Sequence, residues 1–157
     1  MSADVKWYGR EVFTLATKAN VRAMEQSAGL VERYAKKIMG TGASRMGVKF
    51  SRSKTTAKGK TTRSYHRPSA PGFPPNIDTN TLRASITHVV TNDGINVKGA
   101  VGSDKDVIKQ RAEAGTDTNY GFFLEVGTSK MAARPWLRPS LLKAEPGILA
   151  FFKKANS

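Results

Sequence analysis

Residues 119–141 read NYGFFLEVGTSKMAARPWLRPSL, and the fold turns on how this stretch is divided. Tyr120, Phe122, Phe123, Leu124 and Val126 form a dense apolar block broken only by Gly121 and Glu125. Gly127 closes the block, because glycine accepts the positive φ that stops a helix or bends a strand. Thr128, Ser129 and Lys130 then make a polar turn. Pro135 and Pro139 bracket Trp136, Leu137 and Arg138 and fix φ at both ends of a short rigid piece. Two assignments compete for the block itself. Tyr120, Phe123 and Leu124 fit a helical turn capped by Asn119, whereas Tyr120, Phe122, Leu124 and Val126 fit a strand.

Downstream of Pro139, which suits the first position of a helix, a final helix is expected with a break or kink at Pro146–Gly147. Ile148, Leu149, Phe151 and Phe152 should be its buried side, and Lys153 and Lys154 suit its negative end. Upstream, Leu82 to Thr91 alternates as a strand, with Leu82, Ala84, Ile86, His88 and Val90 on one face. Asn92-Asp93-Gly94 is a hairpin signal, and Ile95, Val97 and Val101 form the returning strand. Asp104 and Asp106 can start a short helix through Val107, Ile108 and Ala112.

Residues 4–39 read as a long helix, since apolar residues recur every three or four positions from Val5 to Ile38. Gly29 could mark a bend in it. From 41 to 77 the character changes. Arg45, Lys49, Arg52, Lys54, Lys58, Lys60, Arg63 and Arg67 occur there with no acid, and nothing large and apolar lies between Ser51 and Ser64. Such a segment cannot offset its ordering entropy alone, so a mobile basic arm is expected. Its partner would be DNA phosphate or an acidic protein surface.

The whole chain of 157 residues is one domain by length. Twenty-six Lys and Arg against twelve Asp and Glu give a net charge of +14, which favours a polyanionic neighbour. The absence of cysteine excludes disulfides and thiolate metal sites. No run is long and apolar enough to span a bilayer, and the first residues lack a signal-peptide core, so no membrane partner is expected. No catalytic constellation emerges. His66 and His88 are isolated, and His88 reads as a packing residue. The pair Asp104 and Asp106 reads as a helix cap rather than a metal site. Neither an enzyme nor a cofactor is expected.

Two stretches together resemble a family signature. The run from Tyr120 to Met131, followed by Arg134-Pro-Trp-Leu-Arg-Pro139, is similar to the tail-completion, or neck, proteins of long-tailed bacteriophages. Arg67-Pro-Ser-Ala-Pro-Gly72, Pro74-Pro75, Ile77-Asp-Thr79 and Leu82-Arg-Ala-Ser-Ile86 extend the likeness upstream. The segments 41–65 and 104–118 match poorly. Asn80 stands where that family usually has glycine, and asparagine tolerates the same left-handed geometry.

The resemblance favours a short helix at 119–126 running into a strand near 127–133. It agrees with the α+β domain that the helix and strand patterns predict: a long N-terminal and a C-terminal helix packed on a small antiparallel sheet, with a long basic loop. It also implies a structural virion protein assembled in the host cytoplasm. Such a protein joins in a homo-oligomeric ring, six subunits being the expected count, between the head connector or stopper and the tail terminator or tail tube, with DNA in the channel as a further neighbour. A closed head-to-tail ring needs two different patches per subunit. For that interface the expected residues are Glu125 as a charge partner, Thr128, Ser129 and Lys130 in the turn, Met131 and Trp136 as apolar anchors, and Arg134 and Arg138. The competing reading of Trp136 is a core residue. The runner-up function is a nucleic-acid-binding accessory protein using the 41–67 arm.

Overall fold

The computed structural model describes residues 9–39, 50–55, 59, 61–66, 69–77, 80–94, 96–111 and 120–156. The architecture is α+β, with a long N-terminal helix, a C-terminal helix and small antiparallel sheets. Helix α1 (Gly9–Ile38) is about 45 Å long at 1.5 Å per residue. Ala23, Ser27, Ala28, Val31 and Ala35 are its buried positions. They recur at three- and four-residue spacing and are small or slim, so two neighbours can approach it closely. One neighbour is the β3–β4 sheet, and the other is α5 (Leu137–Ala155). Tyr34 meets Lys143 in a cation–π contact of 5.5 Å, and Leu30 meets Gly147, so α1 and α5 run antiparallel. Gly29 does not interrupt the helix. Helix α1 passes through it unbroken, and the residue lies under the His88 ring.

Strands β3 (Ile86–Asn92) and β4 (Val97–Ser103) pair antiparallel from Ile86↔Ser103 to Asn92↔Val97. The turn signal between them is used as expected: Asp93 Oδ1 accepts from Asn96 N at 2.6 Å, and Asn92 Oδ1 accepts from Gly94 N at 2.9 Å. Ile86 is buried and His88 and Val90 are half-buried, while Thr87, Val89 and Thr91 are exposed.

The strand expected from Leu82 starts later, because residues 81–85 form helix α2 (Thr81–Ser85). Leu82 and Ser85 are both buried at helical spacing, and Ser85 Oγ donates to Leu82 O at 2.8 Å. Asn80 launches the turn at φ 61°, the left-handed geometry a glycine would take. Asp104 caps helix α3 (Lys105–Arg111) by accepting from Asp106 N at 2.8 Å and Val107 N at 3.3 Å, and Ile108 is fully buried beneath it.

Of the basic stretch, expected as a mobile arm, the structure describes residues 50–55, 59, 61–66 and 69–77. Strands β1 (Phe50–Thr55) and β2 (Thr61–His66) form their own antiparallel ladder from Phe50↔His66 to Thr55↔Thr61. Threonines favour extended backbone, and a two-stranded ladder satisfies its inner N–H and C=O groups without a core. Arg52 stands opposite Ser64, Lys54 opposite Thr62 and Arg63 opposite Ser53. Residues Arg45, Lys49, Lys58, Lys60 and Arg67 lie outside the described residues. The loop 69–77 is docked: Gly72 N donates to Ala133 O at 2.9 Å.

Residues 120–126 form helix α4 (Tyr120–Val126), but no strand follows; only an isolated bridge joins Thr128 and Met131. Helix α5 runs through Pro146 without a break. Pro146 is exposed, and without a Cβ at Gly147 the helix closes to Leu30, where an added Cβ would come within 2.5 Å of Leu30 Cδ2. That packing outweighs the backbone hydrogen bond a proline forgoes. The buried stripe of α5 is Ser140 and Ala144 rather than the expected Leu149, which is 57% exposed. Ala35, Met39, Leu82, Ile86, Leu124 and Trp136 form one core where the helices and the sheet meet.

Candidate functional site

The segment 120–138 folds as a clasp around one carboxylate. Glu125, on the last turn of α4, accepts through Oε2 from Trp136 N (2.7 Å) and Leu137 N (2.8 Å), and through Oε1 from Arg138 N (2.9 Å). These are the leading N–H groups of α5, which have no partner inside the helix. The next residue, Pro139, has no N–H to satisfy. The acid and the proline together therefore account for the whole first turn, and the negative charge sits at the positive end of the helix dipole. Glu125, expected as an intermolecular charge partner, is spent inside the subunit. Proline occupies the third helical position rather than the first.

Trp136 is likewise internal. It is 2% exposed, and its indole Nε1 donates to Gly121 O at 3.0 Å. The anchor expected at the surface is thus a core residue: the helix that Glu125 starts carries the ring inward against α1 and α4. Arg134 Nε donates to Ser69 O at 3.1 Å and its backbone N to Leu124 O at 2.6 Å, and Met131 packs half-buried against the core. Thr128, Ser129, Lys130 and Arg138 remain exposed, as an interface requires. Gly127 takes φ 79°, and Pro135 is half-buried at the base of the clasp.

Around these lie apolar residues that the reading of the sequence had not put at a surface. On α4, Phe122 (61% exposed) and Val126 (55%) share a face at four-residue spacing. On α5, Leu141, Leu142 and Leu149 are all more than half exposed. Leu141 also lines a groove of about 260 Å³ floored by α1 and walled by β4 and α5, with Met24, Val101, Ile148 and Phe152 among its lining. The signal was available in sequence. Leu141 and Leu142 are adjacent on a helix, so one stripe cannot bury both fully.

His88 joins β3 to α1 more tightly than a packing residue would. Its Nδ1 contacts Glu32, its Nε2 lies 3.3 Å from Glu25 Oε2, and Lys36 pairs with Glu32 from the other side. Glu25 and Glu32 are seven residues apart on one helix face, a pattern that pointed to a common partner. The Glu32 hydrogen bond raises the His88 pKa above its ordinary value against the opposing effect of burial, with both carboxylate charges adding to the rise. Burial pushes the Glu32 carboxyl up, but the hydrogen bonds and charges of Lys36 and His88 outweigh it, and the net shift is downward. Only an imidazolium donates from both nitrogens.

The sign follows. The His88 contribution is complete below pH 6.5 and is lost as pH rises through the raised value; that of Glu32 is present above pH 4.5 and is lost as pH falls through the lowered one. Melting temperature should therefore be highest between those limits. His88→Gln should remove the alkaline-side decline and cost on the order of 1 kcal/mol near pH 6; parallel pH profiles in the two proteins would disprove the clamp.

Among the described residues no three His, Cys, Asp or Glu are grouped to hold a metal, and no helix is long and apolar enough to cross a membrane. Compared with known proteins, the chain matches no family model, no curated protein and no solved structure.

Proposed function

We propose that this chain is a structural subunit of a bacteriophage neck, building a homo-oligomeric ring that joins the head connector to the tail during morphogenesis. The observation that carries the reading is a pair of distinct apolar patches: Phe122 and Val126 on α4, and the α5 leucines around the groove. A head-to-tail ring uses two unlike patches, and exposed apolar surface of this kind marks an assembly face. A cavity of about 150 Å³ holds benzene, so the α5 groove has room for the Phe122 ring of a neighbour. The motif likeness at 120–139 supplies the phage context. Thr128, Ser129, Lys130 and Arg138 form the polar rim of the joint.

Assembly of variants tests this. Phe122→Glu and Leu142→Glu should each give a folded subunit that forms no ring and no tailed particles. Mixing the two should restore a single joint and yield a heterodimer by sedimentation. Arg138→Ala should assemble poorly while binding DNA as the parent does. Normal particles from all three variants, with DNA affinity reduced, would move the basic β1–β2 hairpin and a nucleic-acid-binding role ahead of the neck.

A further inference from the structure

The docked loop 69–77, helix α4 and the segment 131–134 line a second cavity, of about 290 Å³ and open to solvent. One wall is apolar, made by Pro75, Leu124 and Met131; the other is polar, made by Ser69, Asn76 and Arg134. Two of the polar groups are incomplete. The Ser69 hydroxyl is buried and has no hydrogen-bond partner among the described residues. Arg134 donates from Nε to Ser69 O, and among the described residues no carboxylate pairs with it. A guanidinium carries five N–H donors, so one backbone carbonyl leaves most of its fork unused. A buried hydroxyl without a partner costs free energy that a ligand could recover.

The cavity is also held open by its own backbone. Arg134 N is bonded to Leu124 O, and Ala133 O to Gly72 N, so the backbone that carries Arg134 and the 69–77 loop are tied together before anything binds. Preorganisation of this kind lowers the ordering cost of association.

We infer that this cavity is a receptor for the carboxylate of an acidic side chain on an adjoining protein, gripped by the Arg134 fork and the Ser69 hydroxyl while its methylenes lie on Pro75, Leu124 and Met131. A carboxylate matches the planar guanidinium in two parallel hydrogen bonds. Nucleic acid is the weaker fit, because a phosphate backbone is tracked by several cations along a groove, and among the described residues Arg134 is the one cation lining this cavity. The net charge of +14 draws acidic surfaces toward the subunit. The inference names the chemistry of a neck partner, but it stands on the geometry of the subunit alone.

The test is a titration of the full-length, isotope-labelled protein followed by amide and arginine Nε–H resonances. N-acetylglutamate amide should shift Arg134 Nε–H and the Gly72 amide saturably, with a dissociation constant on the order of millimolar. N-acetylglutamine amide should bind at least about tenfold more weakly, since it cannot accept at both oxygens. Ser69→Ala keeps the carbonyl that Arg134 uses and should weaken glutamate binding severalfold. Arg134→Lys keeps the charge but not the fork and should weaken it about tenfold. Should the Arg134 variant unfold, Ser69→Ala decides alone. Equal binding of the glutamine compound, an unchanged affinity in Ser69→Ala, or shifts at Arg134 caused by inorganic phosphate or a short DNA duplex but not by glutamate would each overturn the inference. Glutamate binding by a protein that builds no ring sinks the neck reading only; a ring without glutamate binding sinks the receptor only.

Discussion

Trp136→Ala is expected to cost about 3–5 kcal/mol of folding stability, the range for emptying a large aromatic site in a core. The ring is 2% exposed and belongs to the cluster of Ala35, Met39, Leu82, Ile86 and Leu124, so its removal opens a hole walled by four elements. The loss has a polar part as well, since Gly121 O gives up the indole donor and is left buried without it. Trp136→Phe separates the two contributions by keeping most of the volume and dropping only the hydrogen bond, at about 1–3 kcal/mol. Urea unfolding of the isolated subunit measures both. An unchanged midpoint in the alanine variant would return Trp136 to the surface as an intermolecular anchor.

Gly127→Val should be comparably damaging, about 2–6 kcal/mol, for two additive reasons. A φ of 79° strains any β-branched residue by ~1–3 kcal/mol. A Cβ there would also sit 2.8 Å from Ala133 N and 2.9 Å from Met131 O, backbone atoms that cannot rotate away, and such crowding costs a further ~1–3 kcal/mol. Gly72→Ala is the control. Its φ is 80°, but no atom lies within 4 Å of the added Cβ, so it should lose only ~1 kcal/mol. Equal melting temperatures for the two variants would mean that crowding at Gly127 is relieved at no cost.

Features set by local chemistry could be read before the structure. The three- and four-residue spacing in α1, the Asn92–Gly94 turn, the left-handed Asn80 and the positive φ of Gly127 each depend on a few neighbouring residues. What could not be read depends on distant partners. The alternation after Leu82 suits a strand, yet burial of Leu82 and Ser85 together winds it into α2. Pro146 signals a break, and only the closeness of Leu30 to Gly147 shows why the helix continues. The threonines of the basic stretch gave a strand signal that its lack of apolar residues obscured. Glu125 lies eleven to thirteen residues before the amides it caps, and an acid in that place suits a salt bridge as well as a cap. Trp136 was misread for the same reason: two flanking prolines describe a stiff segment, but not which way the stiff segment faces.

The carboxylate clasp has one more consequence, for how this chain can change. Both ends of the turn are tied, by Gly127 N to Phe123 O at one and by Arg134 N to Leu124 O at the other, and Thr128 pairs with Met131 across it, while Ser129 and Lys130 stand exposed at the tip. Lengthening a flexible loop between fixed ends is inexpensive, about 0.6 kcal/mol for each doubling. The number and kind of residues at the tip are therefore close to a free variable, and the frame that carries them is not. Insertions there can alter what the subunit meets without altering how it folds, so divergence among such chains should gather at the tip and spare Glu125, Gly127 and Trp136.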